Sequence, residues 1–381
     1  MKWLTKIFNR EVKFNDYPKN ISWMLKDDLS PNIKNLKHCK EFHALIGVKQ
    51  SPKWHKEGDV WNHTLAVSKE MFKLISDKSW FLTDYDKKVL MIAALCHDLG
   101  KATTTYFDKN EQDWKCKNHG YASEQITREL IFDQDINTRE EICWLVRWHM
   151  SFHHILQKTH SEQFQEITRL SQGFSTVEKL LILNLADSRG TKSEDNSEDK
   201  INERLKSITE LAMSNKCYIK PFECHRKSPD CNMYVMIGLP GSGKDTYIKK
   251  FLKDLPCICR DDIREEVTDG QVLGRKLMLD GQGEKAVTNI VNERIKNCCI
   301  NKKDFVINQT SLKKKYRLDF KELAFKYANV NVIYVYVEAP SIQECIDRRG
   351  GGKWNDIIRR MWYCFEFPDK SECNKMIIYK Q

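Results

Sequence analysis

The sequence predicts two domains of different class, an all-α domain followed by an α/β domain with a parallel sheet. Two observations predict this. Before residue 232 apolar residues recur at helical spacing and strand-like runs of β-branched residues are scarce. After Pro221 short apolar strands alternate with helical segments, the pattern of a parallel sheet covered by helices. A length of 381 residues favours two or three domains. The boundary is placed so that the domains are 1–216 and 217–381, because Pro221, Pro229 and a charged run interrupt periodicity in the Cys217–Cys231 segment.

The periodicity predicts helices over His63–Ser76, Tyr85–His97, Tyr121–Ile131, Arg139–Met150 and Val177–Leu185. Ser188–Lys200 is polar and charged and reads as an exposed loop, followed by a helix over Ile201–Met213. In the second domain strands are predicted at Met233–Ile237, Phe305–Ile307 and Val330–Val337. Helices are predicted at Lys244–Lys253, Lys285–Cys299 and Lys314–Tyr327.

Hydrophobic residues at 41% and charged residues at 30% exclude a disordered or fibrous chain. A net charge of +10 suits a polyanionic partner such as a nucleic acid. The start, Met1 to Lys13, is basic, but its apolar run is too short for a secretion signal. The longest apolar runs, Val89–Cys96 and Leu180–Ala186, are too short to span a bilayer. The expectation is a cytoplasmic protein with reduced thiols and no membrane partner. Cys217, Cys224, His225 and Cys231 could supply four zinc ligands, but their spacing matches no standard finger, so they read as free thiols near a linker.

The most specific motif is Gly238-Leu239-Pro240-Gly241-Ser242-Gly243-Lys244-Asp245-Thr246. It follows a predicted strand and opens a predicted helix, as a phosphate-binding loop must. The glycines let backbone N–H groups turn inward as an anion nest, and the helix N-terminus adds its positive end. Lys244 would reach the β- and γ-phosphates of ATP, held with Mg or Mn. Asp245 stands where Ser or Thr normally helps to hold the metal, so either Asp245 or Thr246 could fill that role.

The acceptor side is read from Cys259-Arg260-Asp261-Asp262-Ile263-Arg264. A carboxylate here can take a proton from an acceptor hydroxyl, and arginines beside it can bind an anionic acceptor. Asn308-Gln309-Thr310-Ser311 ends a strand, where α/β proteins place ligand contacts. Arg348 and Arg349 precede Gly350–Gly352 and a further helix, and lid arginines can neutralise charge on a transferred phosphoryl group. The set GLPGSGKDT, RDDIR, NQTSL and an Arg-rich lid resembles the 5′-hydroxyl polynucleotide kinases of phage and bacterial RNA repair. The resemblance covers roughly residues 230–381. It implies that Lys244 binds ATP phosphates, that Asp261 is the general base and that Arg264 grips the acceptor phosphate. It further implies that Arg260 contacts the acceptor strand and that Arg348 or Arg349 is the lid arginine.

The helical half holds His63 in GDVWNHT, the pair His97-Asp98 with Lys101 one turn later, His119, His149 and Asp187 in LADSRG. Imidazoles and carboxylates suit Mn, Fe, Co, Ni or Zn, and helices can converge such ligands in a bundle core. The ordered series His63, His97-Asp98, Asp187 resembles the HD phosphohydrolase superfamily, with His119 and His149 where binuclear members supply two more ligands. That resemblance implies one or two divalent metals, with Asp98 bridging them. A metal-activated hydroxide would attack a phosphoester, and Lys101 would stabilise charge on the phosphate. His55, Arg147, His153, His154 and Arg189 lie near these motifs and stay outside the ligand set.

Together the two halves resemble the bifunctional HD-domain polynucleotide kinases, over roughly residues 20–381. The resemblance implies healing of RNA or DNA ends. The kinase would phosphorylate a 5′-hydroxyl, and the HD domain would hydrolyse a 2′,3′-cyclic or terminal phosphate at the other end. A separate ligase would act downstream, and a homodimer is an allowed assembly. Two other readings stand beside it. One is a nucleotide-metabolism enzyme joining a small-nucleotide phosphohydrolase to a nucleoside or metabolite kinase. The other is a non-catalytic RNA-end sensor.

Overall fold

The computed structural model describes residues 14–80, 82–153, 155–171, 173, 175–193, 197–216, 228–268, 282–339, 341–369 and 372–380. The chain divides into two compact units, Met1–Lys220 and Pro221–Gln381. The expected boundary and the Cys217, Cys224 and His225 cluster fall in 217–227, outside the described residues. All cysteines among the described residues are free. No helix among them is long and apolar enough to cross a membrane.

The first unit contains helices α1 Ile33–His38, α2 Lys40–His43, α3 Val60–Ser76, α4 Asp84–Cys96 and α5 Lys101–Thr104. A hairpin follows, β1 Thr105–Asp108 with β2 Asp113–Cys116. Then come α6 His119–Leu130, α7 Ile136–Trp148, α8 His160–Ser171, α9 Val177–Gly190 and α10 Glu198–Lys216. Helix starts follow capping chemistry. Asp59 accepts from Asn62 N at 2.9 Å to begin α3, and Thr83 with Asp86 forms a reciprocal capping box on α4. Every residue from Val89 to Cys96 is buried, so α4 is the centre of the core, wrapped by α3, α7 and α9. Each large apolar side chain removed from water there contributes about 1.5–3 kcal/mol. The expected loop at Ser188–Lys200 is shorter than the composition suggests. Ser188–Gly190 complete α9, buried against α3, and Glu198–Lys200 begin α10.

The second unit is a five-stranded sheet with helices. Its elements are β3 Cys231–Ile237, α11 Lys244–Phe251, β4 Cys257–Cys259, α12 Arg260–Val267, α13 Gln282–Ile300 and β5 Phe305–Asn308. They continue with α14 Lys314–Phe325, β6 Val330–Glu338, α15 Ile342–Arg348, α16 Trp354–Tyr363 and β7 Lys375–Lys380. The strand order is β4-β5-β3-β6-β7 and every pairing is parallel. From β3 the chain crosses to the edge strand β4 and returns through β5 beside β3, then continues on the other side through β6 and β7. The C-terminal end of β3 is therefore the switch point, the crevice where open α/β sheets bind ligands.

Candidate functional site

In the first unit α3, α4, α6, α7 and α9 each aim polar side chains at one buried point. His63 Nε2 lies 3.1 Å from Asp187 Oδ1 and 3.4 Å from Asp98 Oδ2. His97 Nε2 lies 3.3 Å from His63 Nε2 and 3.3 Å from Asp98 Oδ2. His119 Nε2 lies 3.1 Å from His149 Nε2 and 3.4 Å from Asp98 Oδ1. The six residues form two triads, His63–His97–Asp187 and Asp98–His119–His149. Asp98 stands between them with one oxygen toward each.

The outer nitrogens explain this convergence. His97, His119 and His149 set Nδ1 against the carbonyls of Ala94, Cys116 and Val146 at 2.8, 3.2 and 2.7 Å. A carbonyl only accepts, so each Nδ1 carries the proton and each Nε2 turns a lone pair inward. His63 Nδ1 meets Glu57 Oε1 at 2.8 Å instead. Lone pairs facing one another repel unless a cation lies between them. Both Asp98 oxygens are buried with no hydrogen bond aligned on them, although the Lys101 ammonium stands 2.8 Å from Oδ2. This donor set fits two divalent metal ions. Burial pushes His119 down to about 4 and His149 down to about 3, keeping both imidazoles neutral and ligand-ready. Burial opposes ionisation of Asp98, but the neighbouring His97 and Lys101 hold it well below the usual carboxylate range. Gly100 makes the approach possible, because a Cβ there would lie 2.3 Å from the His119 carbonyl.

Three further residues stand at this centre: Glu57 and Gln50, which carry no sequence signal, and His153, which the sequence places near the motifs but outside the ligand set. Glu57 clasps both His55 and His63, and its other oxygen accepts from Lys192 N at 2.9 Å. Gln50 accepts from Lys101 Nζ at 2.9 Å, while its own amide nitrogen is buried without a partner among the described residues. His153 Nε2 meets Asp187 Oδ2 at 3.1 Å. Arg147 turns away, bonded to Glu124 at 2.7 Å, and Arg189 pairs with Glu198. His154 lies outside the described residues.

In the second unit one cavity of about 1400 Å³ gathers the predicted phosphate and acceptor residues. Lys244, Asp245, Arg260, Asp261, Arg264 and Arg349 all line it. The phosphate loop turns tightly out of β3. Gly241 has φ +82°, and a Cβ there would lie 2.7 Å from the Cys345 carbonyl. Gly238 and Gly243 also have positive φ, and Ser242 Oγ is buried without a partner among the described residues. Lys244 Nζ donates to the carbonyls of Gly238 and Leu239 at 3.0 and 2.8 Å. Asp245 accepts from Asn308 Nδ2 at 2.8 Å, whereas Thr246 is exposed and does not line the cavity. Gln309, Thr310 and Ser311 line it at the end of β5, and Ser311 holds φ +44°, a strained value for a residue with a side chain.

The arginines divide. Arg348 bonds Glu344 and the Gly241 carbonyl, while Arg349 lines the cavity with its guanidinium 5.4 Å from the Trp354 ring. Arg264 pairs with Asp261 at 2.5 Å and with Glu284 at 2.8 Å, and Arg260 pairs with Glu284 at 2.7 Å. Glu284 is a site residue with no motif to announce it.

Residues 60–201 match the HD domain family, and residues 233–352 match an AAA domain family. Curated relatives are multifunctional CCA proteins. That of Shewanella frigidimarina is 39% identical over 103 residues, covering 25% of this chain and 21% of the relative. That of Pasteurella multocida is 42% identical over 64 residues, 17% of this chain and 14% of the relative. That of Thioalkalivibrio sulfidiphilus is 32% identical over 123 residues, 31% of this chain and 26% of the relative. The chain thus spans about a quarter or less of the curated relatives it matches. A solved protein from Chloroflexus aurantiacus is 12% identical with a TM-score of 0.32, covering 40% of this chain and 87% of that one. Geometry and family matches agree at one level: the chain carries a helical HD phosphohydrolase-type domain followed by a P-loop kinase-like domain.

Proposed function

We propose that the chain heals nucleic-acid ends, phosphorylating 5′-hydroxyl termini with ATP in its second unit and hydrolysing a 2′,3′-cyclic or terminal phosphate in its first. The observation that carries this reading is the shared cavity, in which the phosphate loop and the Arg260–Asp261–Arg264 cluster face one space. A carboxylate flanked by two arginines suits a hydroxyl acceptor that sits beside a phosphate, as the 5′ end of a strand does. Asp261 would accept the hydroxyl proton. Lys244 would hold the β- and γ-phosphates, and Arg349, which lines the cavity where Arg348 does not, would meet the charge developing on the transferred group. Asp245, fixed by Asn308, is the better placed of the two candidates to help hold the magnesium that accompanies ATP.

In the first unit the two triads would hold divalent metals of the Mn, Fe, Co, Ni or Zn class. Such a pair supplies an activated hydroxide and a clamp on phosphate oxygens. Lys101, buried and oriented by Asp98 and Gln50, would contact the phosphate. The net charge of +10 of the whole chain favours a polyanionic substrate.

The test is to incubate the protein with an RNA bearing a 5′-hydroxyl and a 2′,3′-cyclic phosphate, with ATP and a panel of metals, and to analyse both ends. The expected products are a 5′-phosphate and an opened or removed cyclic phosphate. Transfer to free nucleosides without transfer to oligonucleotides would replace this reading with a nucleotide-metabolism enzyme. Binding of ends without turnover would replace it with an end sensor.

A further inference from the structure

The β1–β2 hairpin stands directly against the metal centre. β2 ends at Cys116, whose carbonyl faces His119 Nδ1 at 3.2 Å. Asp113 accepts from Ser51 Oγ at 2.6 Å, and the neighbouring Gln50 holds Lys101. The hairpin is thus tied to a ligand on one side and to the phosphate-facing lysine on the other.

Its register sorts the side chains. Thr105 pairs with Cys116 and Phe107 with Trp114, which places these four on one face, because alternate strand residues point the same way. Tyr106 and Lys115 occupy the other face with Asp113. Cys116, whose carbonyl meets His119, closes the inner end of this face, so the face begins beside the metal centre. Phe107 and Trp114 lie one strand repeat farther out, roughly 7 Å along. Their rings meet edge to face with centroids 5.3 Å apart, and Phe107 is left 42% exposed. Thr105 Oγ1, on the same face, is buried with no hydrogen-bond partner among the described residues.

An exposed aromatic alone needs no explanation. Here the pair adjoins a phosphate-ester centre, and an unpartnered hydroxyl lies between them. Lysines 109, 115 and 117 balance Asp108, Glu111 and Asp113 in the hairpin, so charge attraction is weak and ring faces are what it offers.

We propose that the Phe107–Trp114 face is a stacking platform for the nucleoside next to the phosphate ester at the metal centre, with Thr105 bonding its sugar–phosphate. This rests on the proposed hydrolysis of nucleic-acid ends.

The test uses the full chain loaded with metal, as wild type, as Phe107→Ala with Trp114→Ala, and as Phe107→Tyr with Trp114→Phe. Substrates are an oligonucleotide ending in a 2′,3′-cyclic phosphate, the same strand with an abasic terminal residue, and a nucleoside 2′,3′-cyclic monophosphate. Loss of one stacked base implies a KM for the base-bearing end raised about 10-fold or more in the double alanine variant. That increase should largely vanish on the abasic end and be rescued by the aromatic swap. Metal content and kcat should shift far less. An unchanged KM on the base-bearing end, or equal losses on both ends, overturns the platform. Wild-type hydrolysis of the mononucleotide alone overturns end healing. The platform then stands if the alanine variant raises the mononucleotide KM, and falls if it does not. Hydrolysis of no base-bearing phosphate overturns both.

Discussion

Lys244 is the residue at which burial and function pull hardest against each other. Burial pushes its ammonium down to about 8, and the positive charge of Arg349 adds to this while Asp245 and Asp261 oppose it. A bound polyphosphate pulls the same group back up. ATP binding should therefore take up a proton once pH exceeds about 8. The apparent Kd should weaken by up to about tenfold per pH unit above that value. Calorimetry between pH 7 and 9.5 in two buffers of different ionisation enthalpy measures the uptake directly; pH-independent binding with no proton exchange would show that Lys244 stays charged. Stability depends on pH in the opposite sense. The unfolded chain holds the proton up to the ordinary lysine value, so this group's contribution to stability is complete above that value and is lost as pH falls through about 8. Lys244 was legible in the sequence because a phosphate loop is contiguous, and His63, His97, Asp98, His119, His149 and Asp187 because their residue types and order are distinctive. Glu57, Gln50 and Glu284 were not. Each acts by touching a motif residue across the fold, and nothing in its own neighbourhood of sequence says so.

At the scale of elements, α13 shows how a helix without a motif can build a site. Its first turn carries Glu284, which holds both Arg260 and Arg264 of α12, and Thr288 one turn on takes a further bond from Arg260 at 2.8 Å. The helix therefore spaces two guanidinium groups along the cavity wall. Glu284→Ala should raise the KM for a 5′-hydroxyl oligonucleotide about 5- to 10-fold, the scale of one charge-assisted hydrogen bond. The KM for ATP should stay within about twofold, and Glu284→Gln should recover part of the loss. Steady-state kinetics with both substrates varied measures this. A lower oligonucleotide KM would instead make Glu284 a competitor of the acceptor phosphate. Long helices such as α3 and α4 were legible because their periodicity extends over several turns. The hairpin was not, since strands of four residues each fall below any window that separates alternation from chance. β4 is shorter still, and its Cys-Ile-Cys shows only as an apolar lead into RDDIR.

At the scale of the molecule, the two chemistries belong to units with separate interiors. One core cluster runs from Trp23 to Ile208 and another from Met236 to Val337, and neither draws residues from the other unit. The fold class of both was legible because the change from helical periodicity to strand–helix alternation is abrupt. Separate cores imply separable activities. His97→Ala or Asp98→Ala removes a metal ligand, and should lower phosphoesterase turnover by at least about 100-fold. ATP-dependent end labelling should stay within about twofold in these variants. Lys244→Ala should do the reverse, because it deletes the cation that the phosphates meet and leaves the metal centre intact. Both activities measured on one preparation of each variant decide the matter. Joint loss in a variant that keeps wild-type circular dichroism would mean that one centre serves both reactions; joint loss with altered dichroism would mean that the units do not fold independently.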